Sequence, residues 1–357
     1  MTLKGNVGEW SEVYTILKIL GAGQIPAAKA DLSEDTSSSF PVSRILRRQN
    51  NFEFDLVIGN LEIEVFKDKK GSPESRVART AIIEASDLLL ERMKTKSSTT
   101  FSVPAIEATL GLLGIENLSE SNKNLSDIHF EVHDPILHKS SIRAFSIKSQ
   151  LGQPATLLNA SQKTNFLFEV SGSSTEMSFD ALQHLSTREV LEELDSNGYL
   201  INYSKLEDEP FMANLLMVDT QLPQIVAAML LIYYSGKGKT IVELTDQITQ
   251  ANPLKLPVGE AGSIYSHKLK TLLVDIALGL RTSSLWSGEY SATGGYLVVT
   301  KDGSVVYLHS YNREAFRDYL YENTKLEAPS RKRHKYGSII MSGGKTYLKL
   351  NLQIRFK

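Results

Sequence analysis

Asp134 and Lys148 are the residues whose types and spacing best suit hydrolysis of a phosphodiester. They lie within the run HDPILHKSSIRAFSIKSQLG, in which an acid is followed by a short connection and an apolar strand. That strand closes on a lysine flanked by Ser146, Ser149 and Gln150. A lysine at such a place is costly unless it points into a wet or anionic cleft. An aspartate reaching the same cleft would complete half of a metal-dependent site. The reaction needs an in-line water, a cation on the nonbridging oxygens and a means of lowering the water's pKa. Carboxylates are hard oxygen ligands suited to Mg²⁺, and a neighbouring lysine can orient the water or neutralise developing charge. The usual arrangement carries a second acid two residues before the lysine. Ser146 occupies that position, so it enters the candidate catalytic set as the place where one local metal ligand is missing.

The replacement is sought near the N-terminus. In EWSEVYTILKIL, residues 9–20, apolar positions recur with helical period. Glu9 projects between Val13, Ile16 and Leu20, inside the apolar stripe, with Glu12 at its edge as the fallback. A carboxylate on a core-facing stripe is expensive unless paired or metal-bound. The competing reading is a helix-start charge favoured by the macrodipole. Glu9, and failing it Glu12, are therefore expected to join Asp134 around the metal.

Two polar segments are candidates for nucleic-acid contact. Gln150 and the run GQPATLLNASQKTNF are dense in small polar side chains. Among them Gln153, Asn159, Ser161, Lys163 and Asn165 could bond bases or phosphates. The second segment is SRKRHKYG, where Arg331, Arg333 and His334 are candidate readers, arginine being the commonest partner of guanine. Residues 325–357 hold nine Lys/Arg and a single acid, a net +8 that leaves −10 elsewhere in a chain of net −2. Such segregation suits a protein that grips a polyanion with one surface and keeps an acidic cleft apart from it. A solvated basic strand pair is the plainer alternative.

Other signals fail. YSGKGKT ends like a phosphate-binding loop, but Tyr233 stands where the pattern requires glycine. The seven histidines have no metal-ligand spacing, and Asp55, Glu62 and Glu64 fall on the solvated faces of a hairpin. The absence of cysteine excludes disulfides and thiolate zinc sites. No apolar run approaches the ~20 residues of a spanning helix, and the N-terminus has no signal core, so a soluble cytoplasmic protein away from membranes is expected.

The elements that must position these residues alternate irregularly. Helices are expected at 9–20, 77–95, 103–113, in SFDALQHL, in TREVLEELDSNG with Thr187 as cap and Gly198 as stop, at 223–236, 267–280 and near 312–322. Strand-like runs are NFEFDLVIGNLEIEVF around a Gly59-Asn60 turn, DIHFEVHD, IRAFSIKS, TNFLFEVSG, the YLVVTKDGSVVYLH hairpin and two strands in GSIIMSGGKTYLKLNLQIRF. Residues 22–41 read as an exposed serine-rich connection, and 116–126 as a linker or exposed loop. The pattern indicates an α/β fold without regular βαβ alternation. Three regions are expected: 1–115, helical and hairpin, lending a helix to the core; 116–250, the catalytic core; and 251–357, an α/β region with the basic tail.

Taken together, GNVGEWSEVYTILKIL, AFSIKSQLGQPATLLNASQKTNFLFEVSG, LLVDIALGL, SATGGYLVV, YNREAFRDYL and the tail APSRKRHKYGSIIMSGGKTYLKLNLQIRF resemble the HpaII-type restriction endonucleases, a branch of the PD-(D/E)XK nuclease superfamily. The resemblance spans nearly the whole chain. It implies a mixed central β-sheet flanked by helices, with added helical and hairpin elements. The implied activity is Mg²⁺-dependent cleavage of double-stranded DNA at a short GC-rich palindrome, CCGG for the namesake. The implied partners are a second copy on the DNA and a cognate methyltransferase as genetic counterpart. Asp134 would bind metal, Lys148 would align the water and Glu9 would be the helix-borne acid; Glu169 is a further possible relocated carboxylate. Ser146 leaves open another class of function, a sequence-specific DNA-binding protein with a degenerate nuclease core.

Overall fold

The computed structural model describes residues 2–68, 71–118, 126–134, 138–172, 179–309 and 313–357. The first elements are α1 (Val7–Ala22), β1 (Gln24–Ala28), β2 (Glu34–Gln49), β3 (Phe52–Ile58), β4 (Glu62–Lys67), β5 (Ser75–Ala78), α2 (Arg79–Thr95) and α3 (Pro104–Leu112). There follow β6 (Ile128–Asp134), β7 (Lys139–Ser149), β8 (Thr156–Leu158), β9 (Asn165–Ser171), α4 (Thr187–Ser196), β10 (Leu200–Leu206), α5 (Glu209–Val218), α6 (Leu222–Tyr234), α7 (Ile241–Ala251) and α8 (Ala261–Leu278). The chain closes with β11 (Gly295–Val299), β12 (Val305–His309), α9 (Arg313–Asn323), β13 (Thr324–Leu326), α10 (Arg331–His334), β14 (Ile339–Ser342), β15 (Lys345–Asn351) and β16 (Ile354–Phe356). The fold is mixed α/β, as expected.

The expected three-way division at 115 and 250 does not follow the packing. The chain forms two compact units, Met1–Ala155 with Tyr290–Phe316, and Thr156–Glu289 with Arg317–Lys357. The first is discontinuous because β11 and β12 join strands laid down much earlier. Its nine-stranded sheet has the order β1-β12-β11-β7-β6-β2-β3-β4-β5, and β1 also pairs antiparallel with the first part of β2. β7 is an interior strand, antiparallel to β6 and parallel to β11. One face of this sheet shares a core with α1, α2 and α3, in which the Phe130 and Phe145 rings stack at 3.9 Å. Gly294 lies so close to that stack that a Cβ there would meet Phe145 at 2.3 Å, which seats the start of β11 against β7.

Residues 22–41 are not a loose connection. They contain β1 and the first part of β2, and Ile25, Ala27 and Ala28 are buried. The serines that read as a linker lie on a polar strand satisfied by its ladder to β1. The hairpin of β3 and β4, the helices α1, α2 and α3, and the hairpin of β11 and β12 form as expected.

The second unit holds two antiparallel sheets, β10-β9-β15-β14 and β13-β16-β8, with helices α4 to α8. Ser186, not Thr187, caps α4, because it completes a reciprocal capping box with Glu189; Gly198 does follow the helix with φ +76°. The SFDALQHL segment contains a 3₁₀ helix, Phe179–His184, rather than an α-helix. β10, α5 and α7 were not expected from the sequence.

Candidate active site

The end of β7 gathers the chemistry of the first unit. Ser146 and Lys148 lie two residues apart on one strand, so their side chains share a face. The Lys148 ammonium donates to Ser146 Oγ at 3.0 Å. Ser146 Oγ in turn donates to Oδ2 of Asp127 at 3.0 Å. The same carboxylate oxygen accepts the Ile147 N–H at 2.6 Å, which fixes the side chain against the strand. Tyr296, paired with Ser146 across the β7–β11 ladder, sets its ring 5.2 Å from the ammonium.

Lys148 keeps some accessible surface, yet protein surrounds its ammonium closely. Desolvation pushes its pKa below the ordinary lysine value, while Asp127 and Glu12 pull it back up. Burial wins. Glu12 is thus the α1 carboxylate that bears electrostatically on the lysine. It stands half-buried on a helix that packs against α2 and β7.

Glu9, the first choice, is engaged elsewhere. It accepts the Asn6 N–H at 2.8 Å, and Asn6 Oδ1 accepts the Glu9 N–H at 3.1 Å, a capping box that starts α1. A single apolar stripe does not distinguish the two acids. α1 is buried on nearly every side, so the stripe says little about which acid faces the sheet.

The pairing of Asp134 with Lys148 is also corrected. The described part of Asp134 is its backbone, which the β6–β7 register sets opposite Lys139, at the far end of the hairpin from Lys148. Nine residue steps of strand separate Lys139 from Lys148, about 30 Å at the usual rise. Each step back along β6 is a step forward along β7. The acid that meets Lys148 must therefore stand just before β6, where Asp127 does. Glu169 belongs to the second unit and pairs with Lys345 at 2.8 Å.

Two carboxylates, a hydroxyl and a lysine are the donor set. Asp127 Oδ1 carries no hydrogen bond among the described residues, and its position leaves a hard oxygen available. Among the described residues no group of three or more His, Cys, Asp or Glu converges. A divalent ion that keeps most of its waters and takes one or two protein carboxylates is compatible with Asp127 and Glu12. Ser146, already bonded on both sides, adds a polar link but no charge.

The expected DNA-contact residues divide into two groups. Gln150, Gln153, Asn159 and Arg333 are exposed. Asn165 is fully buried, donating to Glu207 at 2.9 Å and to the His334 carbonyl at 3.0 Å while accepting from Asn351 at 2.7 Å. It is a structural tie. Arg331 donates to the carbonyls of Leu185 and Gly337, so two of its five N–H groups are engaged by the protein's own backbone. Ser161 caps the 3₁₀ turn Gln162–Thr164, and Lys163 donates to the Ser283 carbonyl at 3.1 Å. The His334 imidazole is held below its usual pKa by desolvation and by Arg333, so it is neutral at pH 7. In the tail, Lys345, Lys349 and Arg355 pair with Glu169, Glu207 and Glu327, leaving less of the +8 to face outward than composition alone implies.

No helix among the described residues is long and apolar enough to cross a membrane by itself. No solved structure gives a significant match to the chain. The Type II restriction enzyme HpaII of Haemophilus parainfluenzae is 39% identical over 357 residues, covering 99% of this chain and 98% of that protein. The sequence model described as HpaII restriction endonuclease matches residues 6–356. The chain belongs to the HpaII restriction endonuclease family.

Proposed function

We propose that this type II restriction endonuclease cuts double-stranded DNA at a short GC-rich palindrome, CCGG being the leading candidate, with Asp127, Glu12 and Lys148 as its catalytic group. The observation that carries this reading is the chain of contacts from Lys148 through Ser146 to Asp127 at the end of one interior strand. Asp127 and Glu12 would hold Mg²⁺, which when bound supplies Lewis acidity toward the phosphate and lowers the pKa of a water. Lys148 presents a cation to the nonbridging oxygens and holds the attacking water in line. Ser146 fixes the lysine's ammonium at a set distance from the carboxylate. The Tyr296 ring covers the ammonium and limits its hydration.

A twofold target favours a homodimer on the DNA. A cognate methyltransferase would protect the host's own copies of the site, and the enzyme would act in the cytoplasm. Digestion of a plasmid with Mg²⁺ is expected to give discrete bands whose ends, read by run-off sequencing, share one sequence. A smear, or intact plasmid, would remove the proposal.

The lowered pKa of Lys148 sets an expectation for pH. The protonated ammonium is the working form, so single-turnover cleavage declines on the alkaline side at a pH below the ordinary lysine value of about 10.4. The Lys148→Arg variant, if it cuts at all, loses that limb. A wild-type limb at or above the ordinary lysine value would show that Lys148 does not titrate in the rate.

A further inference from the structure

The second unit contains a cavity of about 980 Å³ between the start of α4, the end of α6, α7 and α10. Its lining includes Arg188, Tyr233, Lys237, Lys239, Gln250 and Tyr336. Gly236, Lys237, Gly238 and Lys239, from the run that resembles a phosphate-binding loop, form one wall. Both of its glycines have local structural reasons. Gly236 takes φ +74° to end α6, and a Cβ on Gly238 would meet Leu244 at 3.3 Å. The loop is therefore a tight helix-to-helix connection that carries Lys237 and Lys239 at the cavity.

The loop does not cradle a nucleotide's phosphates through its backbone. Glu243 accepts the N–H groups of Lys239 and Thr240, each at 2.9 Å, and is held below its usual pKa by those bonds. A carboxylate thus sits where a phosphate would have to bind. The side chains are a different matter. Lys237 and Lys239 are exposed, and among the described residues neither ammonium has a hydrogen-bond or ion-pair partner. The lining acids are Glu243, already engaged, and Asp246, while Arg188 pairs with Glu192 at 2.8 Å. Arg331 at the rim opens α10, whose Lys332 and Arg333, with Lys335 just after it, are likewise exposed.

We infer that this cavity rim is a DNA-backbone contact, in which Lys237 and Lys239 neutralise phosphates without reading sequence; the inference rests on the double-stranded DNA substrate proposed above. Free lysines on flexible stems act as point charges and impose no base geometry. Each phosphate neutralised contributes about 0.9 to the slope of log affinity against log salt.

The test is the double variant Lys237→Ala/Lys239→Ala, bound in Ca²⁺ to a target duplex and to an unrelated duplex over about 50–200 mM salt. Both duplexes are expected to lose affinity by the same factor. The wild-type affinity should also fall roughly tenfold further than the variant's across that range, two contacts' worth of released counterions. The charge-preserving Lys237→Arg/Lys239→Arg variant should retain the wild-type slope. An unchanged slope in the alanine variant, or a loss confined to the target duplex, would overturn the contact. Cleavage of plasmid by the same alanine variant at low salt keeps the two readings apart: intact cutting with an unchanged slope removes the contact and leaves the nuclease assignment standing.

Discussion

Lys148→Ala is expected to slow single-turnover cleavage by at least about 10²–10³-fold, the loss typical of one preorganised electrostatic donor. Binding of the target duplex in Ca²⁺ should stay within a few-fold of wild type, because the lysine acts on charge that develops in the reaction more than on the bound ground state. The fold should survive. Lys148 has a folded-state pKa below its unfolded value, so between those two values the unfolded chain binds more protons and stability rises with pH. Below that window the desolvation penalty is present in full. At neutral pH the ammonium is therefore a net liability that Asp127 and Glu12 only partly offset. Lys148→Met, which keeps most of the side-chain volume, should melt no lower than wild type while being equally inactive. An active Lys148→Ala protein would remove the lysine from the site. Inactivity accompanied by loss of folding in both variants would mean that the lysine is structural.

A second large effect separates two aspartates. Asp127→Asn is expected to lower cleavage by about 10²–10³-fold. The amide oxygen can still accept from Ile147 and Ser146, so the strand end keeps its shape while losing its negative charge. Asp134→Asn, at the opposite end of the β6–β7 hairpin, should cut at nearly the wild-type rate. The comparison is made under one set of conditions with thermal unfolding measured in parallel. The reverse ranking would return the acid's role to Asp134.

The sequence pairs Asp134 with Lys148, whereas the β6–β7 register sets Asp134 opposite Lys139. Asp134 is near Lys148 along the chain, but proximity in sequence is not proximity in space. An antiparallel hairpin inverts that relation: residues nearest the turn meet each other, and the end of the second strand meets what precedes the first. The antiparallel register that sets Asp134 opposite Lys139 and Ile128 opposite Phe145 is sufficient to send Lys148 toward Asp127. The lysine itself was legible because a cation closing an apolar strand has few benign explanations. Glu12 was only half legible, since α1 is buried on so many sides that no wheel ranks its two acids. Long amphipathic helices and hairpins with clear turn residues were read from their periods. β1 and the first part of β2 were not, because serine-rich strands carry no apolar alternation. Asn165 and Arg331 show a further limit: composition marks a polar side chain as a hydrogen-bonder but not whether its partner is a base or the protein's own carbonyl.

The discontinuous first unit has a consequence for how the enzyme comes into being. β7 has β6 beside it as soon as the hairpin emerges, but its other neighbour, β11, lies roughly 150 residues downstream, beyond the first segment of the second unit. Domains assemble as the chain leaves the ribosome, and pairings of large sequence separation form late. Until Gly295–Val299 has been synthesised, the strand bearing Ser146 and Lys148 has an open edge and no Tyr296 over the ammonium. A nascent or truncated chain ending before that point therefore lacks a finished centre, and the order of translation itself delays the onset of a chemistry that would be hazardous to the cell's own chromosome.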